Sequence, residues 1–174
     1  MRNIILIGPM GAGKTTIGRQ LAKQLNMRFV DSDKEIENHT GASISLIFEI
    51  EGESKFRERE TKMLRELSSE DNVVLATGGG AILAEENRRI LRRNGTVVYL
   101  HASVDTQLER TRNSKKRPLL NTDDPRARLE ELMKVREPLY RQEADVIVNA
   151  DRRSSARVAK EIIDQLPNRD PVST

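Results

Sequence analysis

The sequence predicts an α/β fold built on a parallel sheet, and three observations predict it. Five short runs rich in Val and Ile (4–7, 29–30, 73–76, 97–100 and 146–148) are apolar without alternation, as strands covered on both faces are. Longer amphipathic segments separate these runs. Strand and helix then take turns along the chain, which argues for right-handed crossovers onto one sheet.

Taken in order, the first run stops at Gly8 and an amphipathic helix is expected over 14–25. The second run leads into a helical stretch at 34–38, where Ser32 followed by Glu35 reads as a capping box with Ser32 as the cap. Helices are expected over 44–50 and 54–67 before the third run, and over 85–93 and 105–111 around the fourth. The last two expected helices, 125–140 and 155–166, flank the fifth run. Residues 112–124, RNSKKRPLLNTDD, join a basic run to Pro118 and turn formers, and read equally as a solvated turn or as a binding lid. The tail 167–174 carries two prolines and mostly polar residues, and fraying is expected there.

With 174 residues the chain is expected to form one domain over 1–166. It has no cysteine, which removes disulfides, thiolate metal sites and cysteine nucleophiles and suits the cytoplasm. No apolar run approaches the ~18 residues of a membrane span, and the N-terminus lacks a signal-peptide core, so a soluble, untargeted protein is expected. The 30 basic and 27 acidic residues leave a net charge of +3, too small to announce nucleic acid. With no Trp, three Phe and two Tyr, base-stacking platforms are not expected either. Only His39 and His101 could supply imidazole, so carboxylates, arginines, lysines and backbone remain as the chemical inventory.

The first chemical signal is GPMGAGKT (8–15), which fits G-x-x-x-x-G-K-[ST] between a strand and a helix. Its glycines let backbone N–H groups of Gly11, Ala12, Gly13, Lys14, Thr15 and Thr16 curl around phosphate oxygens at a helix N-terminus. Lys14 would reach the β- and γ-phosphates of ATP, and the Thr15 hydroxyl would ligate Mg²⁺. In a parallel sheet, ligands bind beyond the carboxyl ends of the strands. After the second run comes Asp31-Ser32-Asp33: Asp33 could accept or orient a hydroxyl proton, and Asp31 could hold Mg²⁺ through water. The third run ends in Thr77 rather than an acidic residue, which weakens a motor-ATPase or switch-GTPase reading.

Two further stretches need a reason. In GESKFRERE (52–60), Glu53 and Glu60 share a helix face with Arg57. A solvated salt-bridge ladder and a guanidinium steadied for a ligand anion explain this equally well. VLATGGGAIL (74–83) holds three consecutive glycines, each costing roughly 0.5–1 kcal/mol against alanine in a regular element. Either the chain needs slack there, or something approaches the backbone so closely that no side chain fits.

GPMGAGKT, DSD (31–33), GESKFR (52–57), GGG (78–80), RPLL (117–120) and REPLY (136–140) together resemble the shikimate kinase family, over residues 3 to 166. The resemblance implies a nucleoside-monophosphate-kinase-like, phosphate-loop fold: a five-stranded parallel sheet of order 2-3-1-4-5, with an acceptor region about 32–60 and a lid about 112–124. It implies transfer of the γ-phosphoryl group of Mg²⁺–ATP to the 3-hydroxyl of shikimate, on the route to chorismate and the aromatic amino acids. It implies that Asp33 contacts the shikimate hydroxyls as base or orienter and that Arg57 and Arg136 grip the carboxylate. Gly79 would contact the ring through its backbone, Arg117 would reach the transferring phosphate, and Arg153 or its neighbour Arg152 would lie near the adenine. The triple glycine then becomes a wall for the acceptor. Rival readings are a gluconate or nucleoside-monophosphate kinase of the same architecture and a nucleotide-binding regulator. ATP and shikimate are the expected partners, with no nucleic acid or membrane, and a monomer is expected.

Overall fold

The structure is a computed structural model that describes residues 2–112 and 122–167. Five strands, β1 (Asn3–Ile7), β2 (Arg28–Asp31), β3 (Val73–Ala76), β4 (Gly95–His101) and β5 (Val146–Asn149), form one parallel sheet of order β2-β3-β1-β4-β5. This is the order that the family resemblance implies. β1 lies at the centre, with Ile5 opposite Leu75 of β3 on one side and Val97 of β4 on the other.

The helices are α1 (Lys14–Leu25), α2 (Ser32–Thr40), α3 (Ile44–Ser68), α4 (Glu85–Asn94), α5 (Val104–Thr111), α6 (Pro125–Glu143) and α7 (Ser155–Gln165). A single 3₁₀ turn, Ala81–Leu83, follows the triple glycine. Successive strand residues point to opposite faces. Ile4 and Leu6 therefore pack with Val74, Val98 and Leu100 against Ile17 and Leu21 of α1 and Val158 and Ile162 of α7. Ile5 and Ile7 pack the other way, with Leu75 and Tyr99, against α2, α3, α4 and α6. Both faces are covered, so β1 and β3 are buried at every position and show no alternation. The edge strand β5 does alternate, leaving Ile147 and Asn149 exposed.

Two local features differ from the sequence reading. The expected helices 44–50 and 54–67 abut within α3, divided by Gly52 at φ 83, ψ 171. That left-handed φ is strained for any residue with a Cβ, and it turns the chain between two helical segments. The cap of α2 is Asp31 and not Ser32: Asp31 Oδ1 accepts from the N–H groups of Asp33 at 3.0 Å and Lys34 at 3.2 Å. Asp31 ends β2 in the extended conformation that a cap needs, so strand passes into helix with no loop and Ser32 becomes its buried first residue.

Candidate active site

The ends of β1, β2 and β3 open into one cleft of about 530 Å³, whose walls include Lys14, Thr15, Asp31, Asp33, Gly79 and Arg110. On the phosphate side, Gly13 (φ 86) starts α1 with no side-chain cap, so the first-turn N–H groups face the cleft as anion donors. Lys14 Nζ donates to the Gly8 carbonyl at 2.7 Å and to that of Pro9 at 2.8 Å, folding the lysine along its own loop.

The Thr15 hydroxyl donates to Asp31 Oδ2 at 2.9 Å, while Asp31 Oδ1 caps α2. One carboxylate thus ties the phosphate loop to the helix that carries Asp33. A hydroxyl and a carboxylate side by side are hard oxygen donors, a set that fits Mg²⁺ bound partly through nucleotide phosphates. Among the described residues no cluster of three or more His, Cys, Asp or Glu could hold a metal by itself. Thr77 also borders the cleft, but its hydroxyl donates to the Leu6 carbonyl at 2.9 Å.

On the other side, the triple glycine is crowded by charged side chains. A Cβ at Gly78 would lie 2.8 Å from Asp33 Oδ1 and 3.0 Å from Glu60 Oε2. At Gly80 it would lie 2.6 Å from Arg57 Nη1, and at Gly79 it would meet Arg136 Nη1 at 3.4 Å. Close approach therefore explains the glycines better than slack, and much of that approach comes from the protein's own acids and arginines.

Arg57 Nη1 donates to Glu60 Oε1 at 2.9 Å and Nη2 to Glu53 Oε1 at 3.2 Å, with the guanidinium 5.2 Å from the Phe56 ring centroid. Glu60 is 0% exposed, so this is no solvated ladder. Burial works against the charge of Arg57, but Glu60 and Glu53 more than offset it and hold the guanidinium above its ordinary pKa. Burial also raises Glu60, with Arg57 and Arg136 opposing. Asp33 is pushed up to about 7, first by burial, then by the charges of Glu60 and Asp31, against the pull of Lys14 and Arg57. Arg136 is buried and lowered, by that burial and then by the charge of Arg57. No carboxylate lies within ion-pair distance of Arg136 among the described residues. Asp33 Oδ1, Glu60 Oε2 and Arg57 Nε are shut off from solvent with no hydrogen-bond partner.

Of the residues expected at the site, Gly11, Gly13, Lys14, Thr15, Thr16, Asp31, Asp33 and Gly79 line the cleft, while Ala12 is buried inside the loop. Arg57 and Arg136 flank the glycines from α3 and α6. Arg153 pairs with Glu161, donates to the Asn149 carbonyl at 3.1 Å and borders a recess on Gly13 and Thr16. Arg152 borders the neighbouring recess with Ser103, Asp105 and Asp151. Arg117 lies outside the described residues, as does most of the expected lid.

Two residues, Arg110 and Tyr140, escaped the sequence reading, and so did the burial of Glu60. Arg110 borders the cleft and both recesses, and donates to the carbonyls of Gly11 at 3.0 Å and Ala150 at 3.2 Å. In sequence it is a basic residue in a last helical turn, which the helix dipole explains alone. Tyr140 enters only as the last residue of REPLY, with no role of its own, and Glu60 is placed beside Arg57 without its burial.

The family model for shikimate kinase matches residues 10–167. A shikimate kinase from Thioalkalivibrio sulfidiphilus is 61% identical over 160 residues, covering 92% of this chain and 84% of its own. The solved structure of a shikimate kinase from Acinetobacter baumannii, in complex with shikimate, superposes with a TM-score of 0.93 at 50% identity, covering 94% of this chain and 92% of its own. A gluconokinase structure from Sinorhizobium meliloti, at TM-score 0.61 and 18% identity over 95% of this chain and 91% of its own, shares the fold alone. A family model over most of the chain and relatives this similar over nearly its full length show the family: the chain belongs to the shikimate kinase family.

Proposed function

We propose that this cleft phosphorylates shikimate with Mg²⁺–ATP, with the acceptor's carboxylate between Arg57 and Arg136 and its 3-hydroxyl at Asp33. ATP-dependent phosphoryl transfer to shikimate is the activity of the family. The observation that carries the reading is the pair of guanidiniums. Arg136 is buried, lacks a carboxylate partner among the described residues and is further disfavoured by Arg57. A ligand carboxylate between them relieves that repulsion, and a planar fork can pair with it bidentately.

The 3-hydroxyl oxygen attacks the γ-phosphorus, the bond from that phosphorus to the β–γ bridging oxygen breaks, and ADP leaves with its electron pair. Asp33 accepts the hydroxyl proton, and its environment supports the role by placing its pKa at about 7. Lys14 turns from its loop carbonyls to the phosphates, where the N–H groups at the start of α1 also point. Thr15 and Asp31 would hold Mg²⁺, which when bound neutralises charge on the phosphate oxygens. Arg117 would add positive charge at the transferring group, and residues 112–124 would close to exclude water. Arg110 and Arg153, which share a recess beside Gly13, would border the adenine side.

A coupled ADP-release assay with ATP and shikimate, gluconate or AMP tests the reading. Turnover with shikimate alone is expected. Equal turnover with gluconate or AMP, or none with any acceptor, would overturn it.

A further inference from the structure

On α6, Arg136, Tyr140 and Glu143 are spaced i, i+4, i+7 and all are buried, a polar stripe where a helix face packed on a sheet is usually apolar. Arg136 and Tyr140 reach the segment after β3 directly, and Glu143 reaches it through Arg88 of α4. Arg136 Nη1 flanks Gly79, the Tyr140 hydroxyl donates to the Gly79 carbonyl at 2.5 Å, and Glu143 holds Arg92 at 3.0 Å and Arg88 at 3.7 Å. Arg88 in turn donates to the carbonyls of Ile82 and Leu83, both at 2.9 Å. α6 thus holds the glycine segment at Gly79 and, through Arg88, the 3₁₀ turn that follows it.

Tyr140 is the central anchor. Its ring stacks on Tyr99, centroids 5.0 Å apart at 21°, so the hydroxyl has little freedom to move. The same hydroxyl interacts with the guanidinium of Arg136. Burial holds its pKa far above the phenol range, so it stays a donor at any working pH. Phenylalanine would fill the same space and keep the ring stack, which leaves the hydroxyl's contacts as what tyrosine adds here.

Resting on the reading that Arg136 and Gly79 hold the acceptor, we propose that Tyr140 is a positioning residue for shikimate. Its hydroxyl fixes the Gly79 peptide and the Arg136 guanidinium relative to each other and so sets the width of the acceptor site.

The test is Tyr140→Phe, measured beside Arg136→Ala, Arg136→Lys and the Tyr140→Phe/Arg136→Lys double variant. Loss of one neutral hydrogen bond with a buried carbonyl left behind should raise the KM for shikimate about 5- to 10-fold. The KM for ATP should stay within about twofold, and the double variant should lose less than the product of the two single effects. If Arg136→Ala impairs shikimate handling while Tyr140→Phe leaves its KM unchanged, the positioning role is wrong and the acceptor reading survives. If Arg136→Ala also leaves shikimate untouched, both fall. Equal rises in the two KM values with a lowered Tm would mark Tyr140 as merely structural and overturn the proposal.

Discussion

Gly78 packs against Asp33 so tightly that a single methyl group at 78 would stand 2.8 Å from the Asp33 carboxylate oxygen. The other near neighbour is Glu60, itself buried and held by Arg57, so the displacement falls on Asp33. Gly78→Ala should therefore cut kcat with shikimate, by about 100-fold if the shift approaches 1 Å. Steady-state kinetics checks this, and an unchanged kcat contradicts it.

Asp33 also sets a pH dependence. Its pKa stands near 7 in the folded chain against an ordinary 3.8, so the folded state binds this proton more tightly than the unfolded chain. Its contribution to stability is full below about pH 4 and is lost as pH rises through about 7. Asp33→Asn carries no such dependence: its Tm should match wild type near pH 4 and exceed it near pH 8. As the proposed base, Asp33 must be ionised in catalysis, so kcat/KM for shikimate should fall as pH drops below about 7. Thermal melts and pH–rate profiles read the two effects separately.

Gly79 isolates the ligand's own demand for space. Here the protein leaves ordinary van der Waals room, since a methyl group at 79 would stand 3.4 Å from both Arg136 Nη1 and the Met10 nitrogen. Gly79→Ala should raise the KM for shikimate much more than that for ATP. Equal rises, or none, would remove Gly79 from the acceptor wall.

Arg57→Ala should cost about 10- to 100-fold in kcat/KM for shikimate, since a charged hydrogen bond contributes about 1.5–3 kcal/mol. It should also lower Tm, because Glu60 is left buried without its ion-pair partner. Adding Glu60→Gln should recover stability and leave shikimate handling impaired. Recovery of both would reduce Arg57 to a structural counter-ion.

The sheet was legible because strands buried on both faces write themselves as unbroken Val and Ile runs, and the phosphate loop because its glycines and lysine sit at fixed spacing. The α2 cap was not, since Asp31 and Ser32 both carry capping side chains and only the extended backbone at 31 decides between them. The pairing of Glu60 with Arg57 was legible but its burial was not, because helical spacing cannot tell a buried acid from an exposed one. Arg110 and Tyr140 hid because their backbone partners lie 99 and 61 residues away, a pairing that the topology alone creates.

The proposal that Arg57 and Arg136 frame the acceptor's carboxylate is probed most directly by removing the charge from the ligand. When shikimate is replaced by its methyl ester, kcat/KM should fall by about 100-fold or more. In the Arg57→Ala/Arg136→Ala variant that discrimination should nearly vanish. An ester phosphorylated by the unaltered protein as well as the free acid would contradict the carboxylate grip.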